Sequence, residues 1–508
     1  MQLPLIDLAV IAAYLLCMIL VGVWFSRKKR NASQFTTASG NIPGWALGLS
    51  LYATFLSSNT FLGVPGKAFG TNWNAFVFSL SMPAAAFFAA RYFVPFYRHS
   101  GEVSAYTHLE HRFGPWARTY AMVCFILTQL ARMGSVFFGV ALALEALTGI
   151  DMRTIMLITG ICIIIYTVLG GMEAVIWTEV LQGIIKTIGA AIILWLVIAG
   201  MDNGVSDIFR IGMQDGKFSL GSFSLSDFGT STFWVVLLYG FFINLNNFGM
   251  DQNYVQRYHT ARTEKEAKKS IWLCVYWYVP VSLLFFFIGT SLFAYVQQHP
   301  DVIAAVKQQV AAERGIPMTE LTPADYGDKV LPWFMVMKVP KGILGLIIAA
   351  ILSAAMSTVS SGMNSAATVF LKDIYQRYID PEITPQKEMR VLYSGTTIAG
   401  LLAIGFGIAM IGVKSILDIW WELSGIFAGG MLGLFLLGIL SKTRNAAAVG
   451  ATIVGMLVIL WMSLSKYLPA SMERLRNPLH VNMIIVIGTL SIFLTGMLLT
   501  RMQRLKTS

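Results

Sequence analysis

Apolar residues along this chain come in long, nearly unbroken runs rather than the alternating or striped patterns of a soluble fold. The runs fall at 5–25, 43–69, 74–96, 119–147, 154–170, 173–200, 233–255, 271–296, 331–371, 391–412, 416–440, 446–465 and 480–500. Runs of this kind reach the roughly 20 residues a helix needs to cross hydrocarbon. The pattern predicts an all-α polytopic membrane protein of about 13 spans. The run at 331–371 is too long for one straight crossing, so an amphipathic segment from Trp333 to Gly342 is expected ahead of the span proper.

Polar residues interrupt two of these runs. The second carries Ala53-Thr-Phe-Leu-Ser-Ser-Asn-Thr-Phe-Leu-Gly-Val-Pro-Gly66, a polar run followed by Gly63, Pro65 and Gly66. In hydrocarbon every backbone N–H and C=O needs a partner, so a broken helix is tolerated only where it lines a cavity within the protein. The seventh carries Asn244-Leu-Asn-Asn-Phe-Gly-Met-Asp-Gln252. The two lie an odd number of spans apart, which inverts their orientation. Polar interruptions at corresponding places in two halves predict an inverted-repeat transporter with its site between them.

Composition supports the membrane reading. Of 508 residues 56% are hydrophobic and 12% charged, where a soluble domain carries about 25% charged residues. The net charge of +11 does not indicate nucleic-acid binding, because Lys and Arg gather in the loops assigned to one side of the membrane. The first run has no basic residues before it and Arg27-Lys-Lys-Arg30 after it, unlike a signal peptide. That asymmetry places the N-terminus outside and, over an odd number of spans, the C-terminus inside. Cys17, Cys124, Cys162 and Cys274 all lie in apolar runs without metal-ligand spacing, so neither disulfides nor a metal cluster are expected. No linker divides the chain, which reads as a single membrane domain.

Several side chains carry chemistry at membrane depth. Ser353, Ser357, Ser360, Ser361 and Asn364 share one helical face, as packing glue between helices or as oxygen ligands for a hard cation such as Na⁺. Arg132 lies near mid-membrane, where a charge is costly and calls for a partner. Its guanidinium either clamps a substrate carboxylate or pairs with Glu179. Glu179 in turn has three options: a cation, Arg132, or Lys186 on roughly the same face. Asp251 and Arg257 read as a structural or gating pair, and Asp418 and Glu422 as vestibule lining. Gly425, Gly429 and Gly433 form a packing ridge. No span holds a nucleophile–base set, so the chain is not read as an enzyme. A channel would require a ring of pore-lining groups, which one off-centre polar pocket does not make.

Four stretches together resemble the sodium/solute symporter family, and most closely its bacterial sialic acid branch. They are Ala53-Thr-Phe-Leu-Ser-Ser-Asn-Thr60, Gly170-Gly-Met-Glu-Ala-Val-Ile-Trp-Thr-Glu179, Asp251-Gln-Asn-Tyr-Val-Gln-Arg-Tyr258 and Ala354-Ala-Met-Ser-Thr-Val-Ser-Ser361. The resemblance covers nearly the whole chain. It implies a LeuT-like 5+5 inverted-repeat bundle, with repeats at 43–200 and 233–440 and peripheral helices within 5–42 and 446–500. It also implies a functional monomer in the bacterial inner membrane that takes up an acidic sugar such as sialic acid with Na⁺ by alternating access; Na⁺ symport of another monocarboxylate or sugar is the alternative. One Na⁺ is expected at the backbone oxygens of Ala53, Leu56 and Ala354 and the hydroxyls of Ser357 and Thr358. A second would fall at Glu179, Ser357, Ser360 and Ser361, where the family usually has Asp in place of Glu179. Substrate is expected against Ser57, Thr60, Arg132 and Asn244. Phe55 stands where the branch has a hydroxyl residue, and Ser79 and Ala75 where it has a Gln and an aromatic.

Overall fold

The computed structural model describes residues 3–27, 31–412 and 415–505; Lys28, Lys29 and Arg30 of the first basic cluster lie outside them. The regular structure of the described residues is helical; they form no β-strand, only an isolated bridge between Ile42 and Ala261. The main helices are α1 (Leu5–Ser26), α2 (Gly44–Phe55), α3 (Val64–Gly70), α4 (Val77–Phe88), α5 (Pro115–Thr148), α6 (Met152–Ala199), α7 (Phe233–Met250), α8 (Gln252–Thr260), α9 (Glu264–Gln298), α10 (Pro323–Lys338), α11 (Ile343–Val369), α12 (Pro385–Ala409), α13 (Ile416–Leu440), α14 (Asn445–Leu464) and α15 (Met483–Leu505). Among the described residues, eleven helical segments are long and apolar enough to cross a membrane.

Side-chain caps begin several of these helices. Thr232 accepts from the Val235 N–H at the start of α7, Thr263 from Glu266 at α9 and Ser415 from Asp418 at α13. Each hydroxyl satisfies an amide that has no partner within the helix. The 48-residue α6 would span about 72 Å if straight, more than twice a bilayer's hydrocarbon. It turns at Gly171, whose φ of +58° suits glycine and whose missing side chain leaves room for Phe35. The two runs expected at 154–170 and 173–200 are its two arms. The amphipathic segment expected before the ninth span is a separate helix, α10, and Val339, Pro340 and Gly342 end it before α11 begins.

The second run breaks as its polar residues require. Helix α2 stops at Phe55, Leu56 leaves helical geometry (φ −89°, ψ 89°), and a wide π-helical turn over Asn59–Gly63 leads into α3. In the seventh run α7 continues unbroken through its asparagines to Met250. The chain bends instead at Asp251, which caps α8 through the Asn253 N–H. At the centre α11 packs against α6, and α9 against α2 and α3; at the periphery α15 packs against α13 and α14. The ridge of Gly429 and Gly433 lies against Ile485, Thr489 and Ile492 of α15. Small residues at such a contact let two backbones approach closely.

Candidate functional site

The break in α2–α3 leaves the carbonyls of Ala53, Thr54 and Leu56 at the centre of the bundle, and cations from two different helices take them up. The buried ammonium of Lys186, on α6, donates to Ala53 O at 2.6 Å, Leu56 O at 2.7 Å and the Ser357 hydroxyl at 2.9 Å. These use all three of its donors. Ser357 Oγ also lies 3.0 Å from Ala53 O and 3.4 Å from Ala354 O. The Thr358 hydroxyl donates to Thr54 O or Ala354 O, each at 3.3 Å. The five residues expected to hold a sodium ion are thus brought together, around a lysine.

Lys186 does not pair with Glu179. Seven residues of helix place them about 10 Å apart along the axis, and Glu179 is already engaged. Arg257 Nη2 lies 2.7 and 3.0 Å from its two oxygens, the hydroxyls of Ser50 and Ser361 donate to it, and Thr54 Oγ1 is 3.4 Å away. Arg257 is among the largest fully buried side chains and also donates to Ser50, Thr54, Ser361 and the Asn253 carbonyl. The pairing of Arg257 with Asp251, expected from their nearness in the chain, is not formed. Asp251 faces Arg132 instead, at 3.5 Å, and accepts from Gln129 and Asn253. The alternative partner for Arg132, Glu179, is likewise excluded by Arg257. Of the residues expected to hold a second sodium ion, Ser361 reaches Glu179, but Ser357 is turned to Lys186 and Ser360 donates to Ser357 O at 3.4 Å.

Arg132 lies beside a cavity of about 690 Å³, its open mouth included, to which Phe55, Ser57, Thr60, Ser79, Asn247 and Trp420 contribute. Arg132 Nη2 donates to the Tyr254 hydroxyl at 3.0 Å and reaches Thr54 O at 3.4 Å, and its guanidinium lies over the Trp420 ring, 5.6 Å from the centroid. Phe55 packs on Tyr254, Tyr278 and Phe248 with ring centroids 4.6, 5.5 and 5.7 Å apart. Ser79 shares a 2.7 Å hydrogen bond with Ser282. Asn244 is not among the lining residues. Its amide donates to Ser81 at 3.2 Å, and Asn247, three residues on, lines the cavity instead.

Sequence reasoning missed Lys186 as the occupant of the cation position, Arg257 as the partner of Glu179, and Tyr254, Tyr278 and Trp420 around Arg132. The signal for Lys186 was its depth, since an ionisable residue inside a span marks a functional position by default. Asp418 and Glu422 pair with Lys67 and Lys466 toward one end of the bundle.

Apolar helices enclosing a polar cavity beside a helix broken at mid-depth define a membrane transporter. The chain belongs to the sodium:solute symporter family, whose model matches residues 35–458. It is 33% identical over 494 residues to the sodium/sialic acid symporter SiaT of Proteus mirabilis, covering 97% of this chain and 94% of that one. It is 33% identical to the sodium/sialic acid symporter NanT of Aliivibrio fischeri, with 96% and 91% covered. A solved substrate-bound, outward-open structure of a Na⁺-coupled sialic acid symporter superposes with a TM-score of 0.86 at 31% identity, covering 98% of each chain. A nucleobase-cation-symport-1 family transporter shares the fold at 13% identity, with a TM-score of 0.58 and 93% and 95% covered. The chain is an integral membrane protein of the bacterial cytoplasmic membrane.

Proposed function

We propose that this protein takes up sialic acid, or a closely similar acidic sugar, by Na⁺-coupled symport. The observation that carries the reading is Arg132. It is a buried guanidinium beside a cavity, and its carboxylate neighbour Asp251 lies at 3.5 Å, longer than a charge-assisted hydrogen bond of about 2.7–2.9 Å. A sugar carboxylate entering the cavity meets donors with capacity to spare, while Ser57, Thr60 and Asn247 offer partners to its hydroxyls. The relatives' own substrates support the choice of sugar.

Thirteen spans, with the N-terminus outside and the C-terminus inside, fit the charge bias of the loops and the division of α6 at Gly171. The LeuT-like arrangement of repeats at 43–200 and 233–440, acting as a monomer, fits a substrate cavity beside the broken α2–α3. Na⁺ would enter at the cradle of Ala53, Leu56, Ala354, Ser357 and Thr358, driven by its gradient and by a membrane potential worth about 2.3 kcal/mol per charge per 100 mV. The test is uptake of labelled N-acetylneuraminate into proteoliposomes with and without an imposed inward Na⁺ gradient. Concentrative uptake that depends on the gradient is expected. Uptake indifferent to Na⁺, or none, would refute the reading.

A further inference from the structure

The cradle expected to hold a sodium ion is filled by a cation that belongs to the chain itself. The oxygens Na⁺ would need, two carbonyls released by the broken helix and the hydroxyl of Ser357, are those that receive the Lys186 ammonium at 2.6, 2.7 and 2.9 Å. Three short bonds to three acceptors saturate the ammonium, so its position is determined by the cradle and not by a neighbouring acid. Among the described residues no carboxylate lies within ion-pair distance of Lys186, and Glu179, on the same helix, is held by Arg257 at 2.7 Å. A lysine buried without an anion is costly unless its hydrogen bonds compensate. Here the compensation comes from the groups that would otherwise strip water from a metal ion.

We propose that the Lys186 ammonium is a tethered cation that holds this cradle in place of a sodium ion, so that Na⁺ and the lysine exclude one another there. Both ligands are positive and both require the same lone pairs, so Na⁺ enters only when the amine withdraws. Lys186 therefore sets the chain's apparent affinity for Na⁺. It also joins α6 to the broken helix and to α11 when no ion is bound. The inference rests on the cation position proposed above, not on the identity of the sugar.

The arithmetic is that of a partly available site. An amine that holds the cradle about nine-tenths of the time weakens Na⁺ binding about tenfold, and in proportion beyond that. The experiment measures ²²Na⁺ binding to the purified full chain in nanodiscs, without sugar, for the wild type, Lys186→Ala and Lys186→Gln. Both variants should bind Na⁺ about tenfold more tightly or better, and adding Ser357→Ala to either should remove the gain. Equal or weaker Na⁺ binding in the monodisperse variants would overturn the inference, as would a gain that survives Ser357→Ala. A merely structural lysine predicts no gain at all. Should neither variant be monodisperse, the wild type decides: an experimental structure at high Na⁺ that shows ion and ammonium together in the cradle overturns the proposal, and one that shows only one of them upholds it. A chain whose variants gain Na⁺ binding but which carries no sialic acid upholds the inference and refutes the proposed sugar.

Discussion

Replacing Arg132 tests the substrate assignment most directly. In the resting geometry its guanidinium makes one good hydrogen bond, to Tyr254 at 3.0 Å, and two long contacts, to Thr54 O at 3.4 Å and Asp251 at 3.5 Å. A carboxylate that engages the free face of the fork gains charge-assisted bonds worth about 1.5–3 kcal/mol each. Some of that is offset by loosening the existing contacts, so the net loss in Arg132→Ala should be roughly 3 kcal/mol, about 150-fold in affinity. Removing the arginine also strands Asp251 in the core, which by itself destabilises the protein. Arg132→Ala/Asp251→Asn relieves that second effect and should recover the thermal stability lost by the single variant. The assay compares binding of N-acetylneuraminate with that of its methyl ester, which keeps the sugar and loses the charge. The wild type should prefer the acid strongly, and both variants should bind acid and ester alike. If Arg132→Ala keeps the preference for the acid, Arg132 does not hold the carboxylate.

Two further outcomes follow from the buried charges. Glu179→Ala leaves Arg257 fully buried without its anion and should cost about 3–5 kcal/mol, whereas Glu179→Leu/Arg257→Met should recover most of the loss in thermal unfolding; losses that simply add would contradict the pairing. Asp328, on α10 outside the spans, has its carboxyl raised to about 7, chiefly by burial and also by Asp418, against the opposing effects of the Ile416 N–H and Lys67. The folded state therefore holds this proton more tightly than the unfolded chain does, and stability falls as pH rises from about 4 to about 7. Asp328→Asn keeps an acceptor for Ile416 and removes that penalty, so its melting temperature should exceed the wild type's at pH 8, by up to roughly 4 kcal/mol of stability, and match it near pH 4; equal melting temperatures at both pH values would refute the assignment.

The sequence showed the helices and the break because both follow from local demands. Hydrocarbon requires long apolar runs, and polar residues beside Gly and Pro cannot continue one. The polar stripe of α11 was legible for the same reason, since 3.6-residue spacing is visible in the string. Which ion meets which was not legible. Glu179, Lys186, Asp251, Arg257 and Arg132 lie on three helices, Asp251 as the cap of α8, and pairing them by nearness along the chain put Arg257 with Asp251 and left Lys186 beside Glu179. Packing brings α8 across to Glu179 and leaves the flexible lysine stem to reach the carbonyls of a different helix. Asn244 came from the family resemblance, and in the structure Asn247, three residues on, is the asparagine that lines the cavity. One face of α7 is turned to the cavity, and the string shows the asparagines but not the rotation of the helix.

The end of α2, from Ala53 to the non-helical Leu56, answers to two masters. Its first and last carbonyls are gripped from α6 through Lys186, and the carbonyl of Thr54 between them from α5 through Arg132. A displacement of α5 relative to α6 would therefore stretch the long Arg132 contact before it strained the short bonds of Lys186. The joint is thus asymmetric, tight toward α6 and slack toward α5.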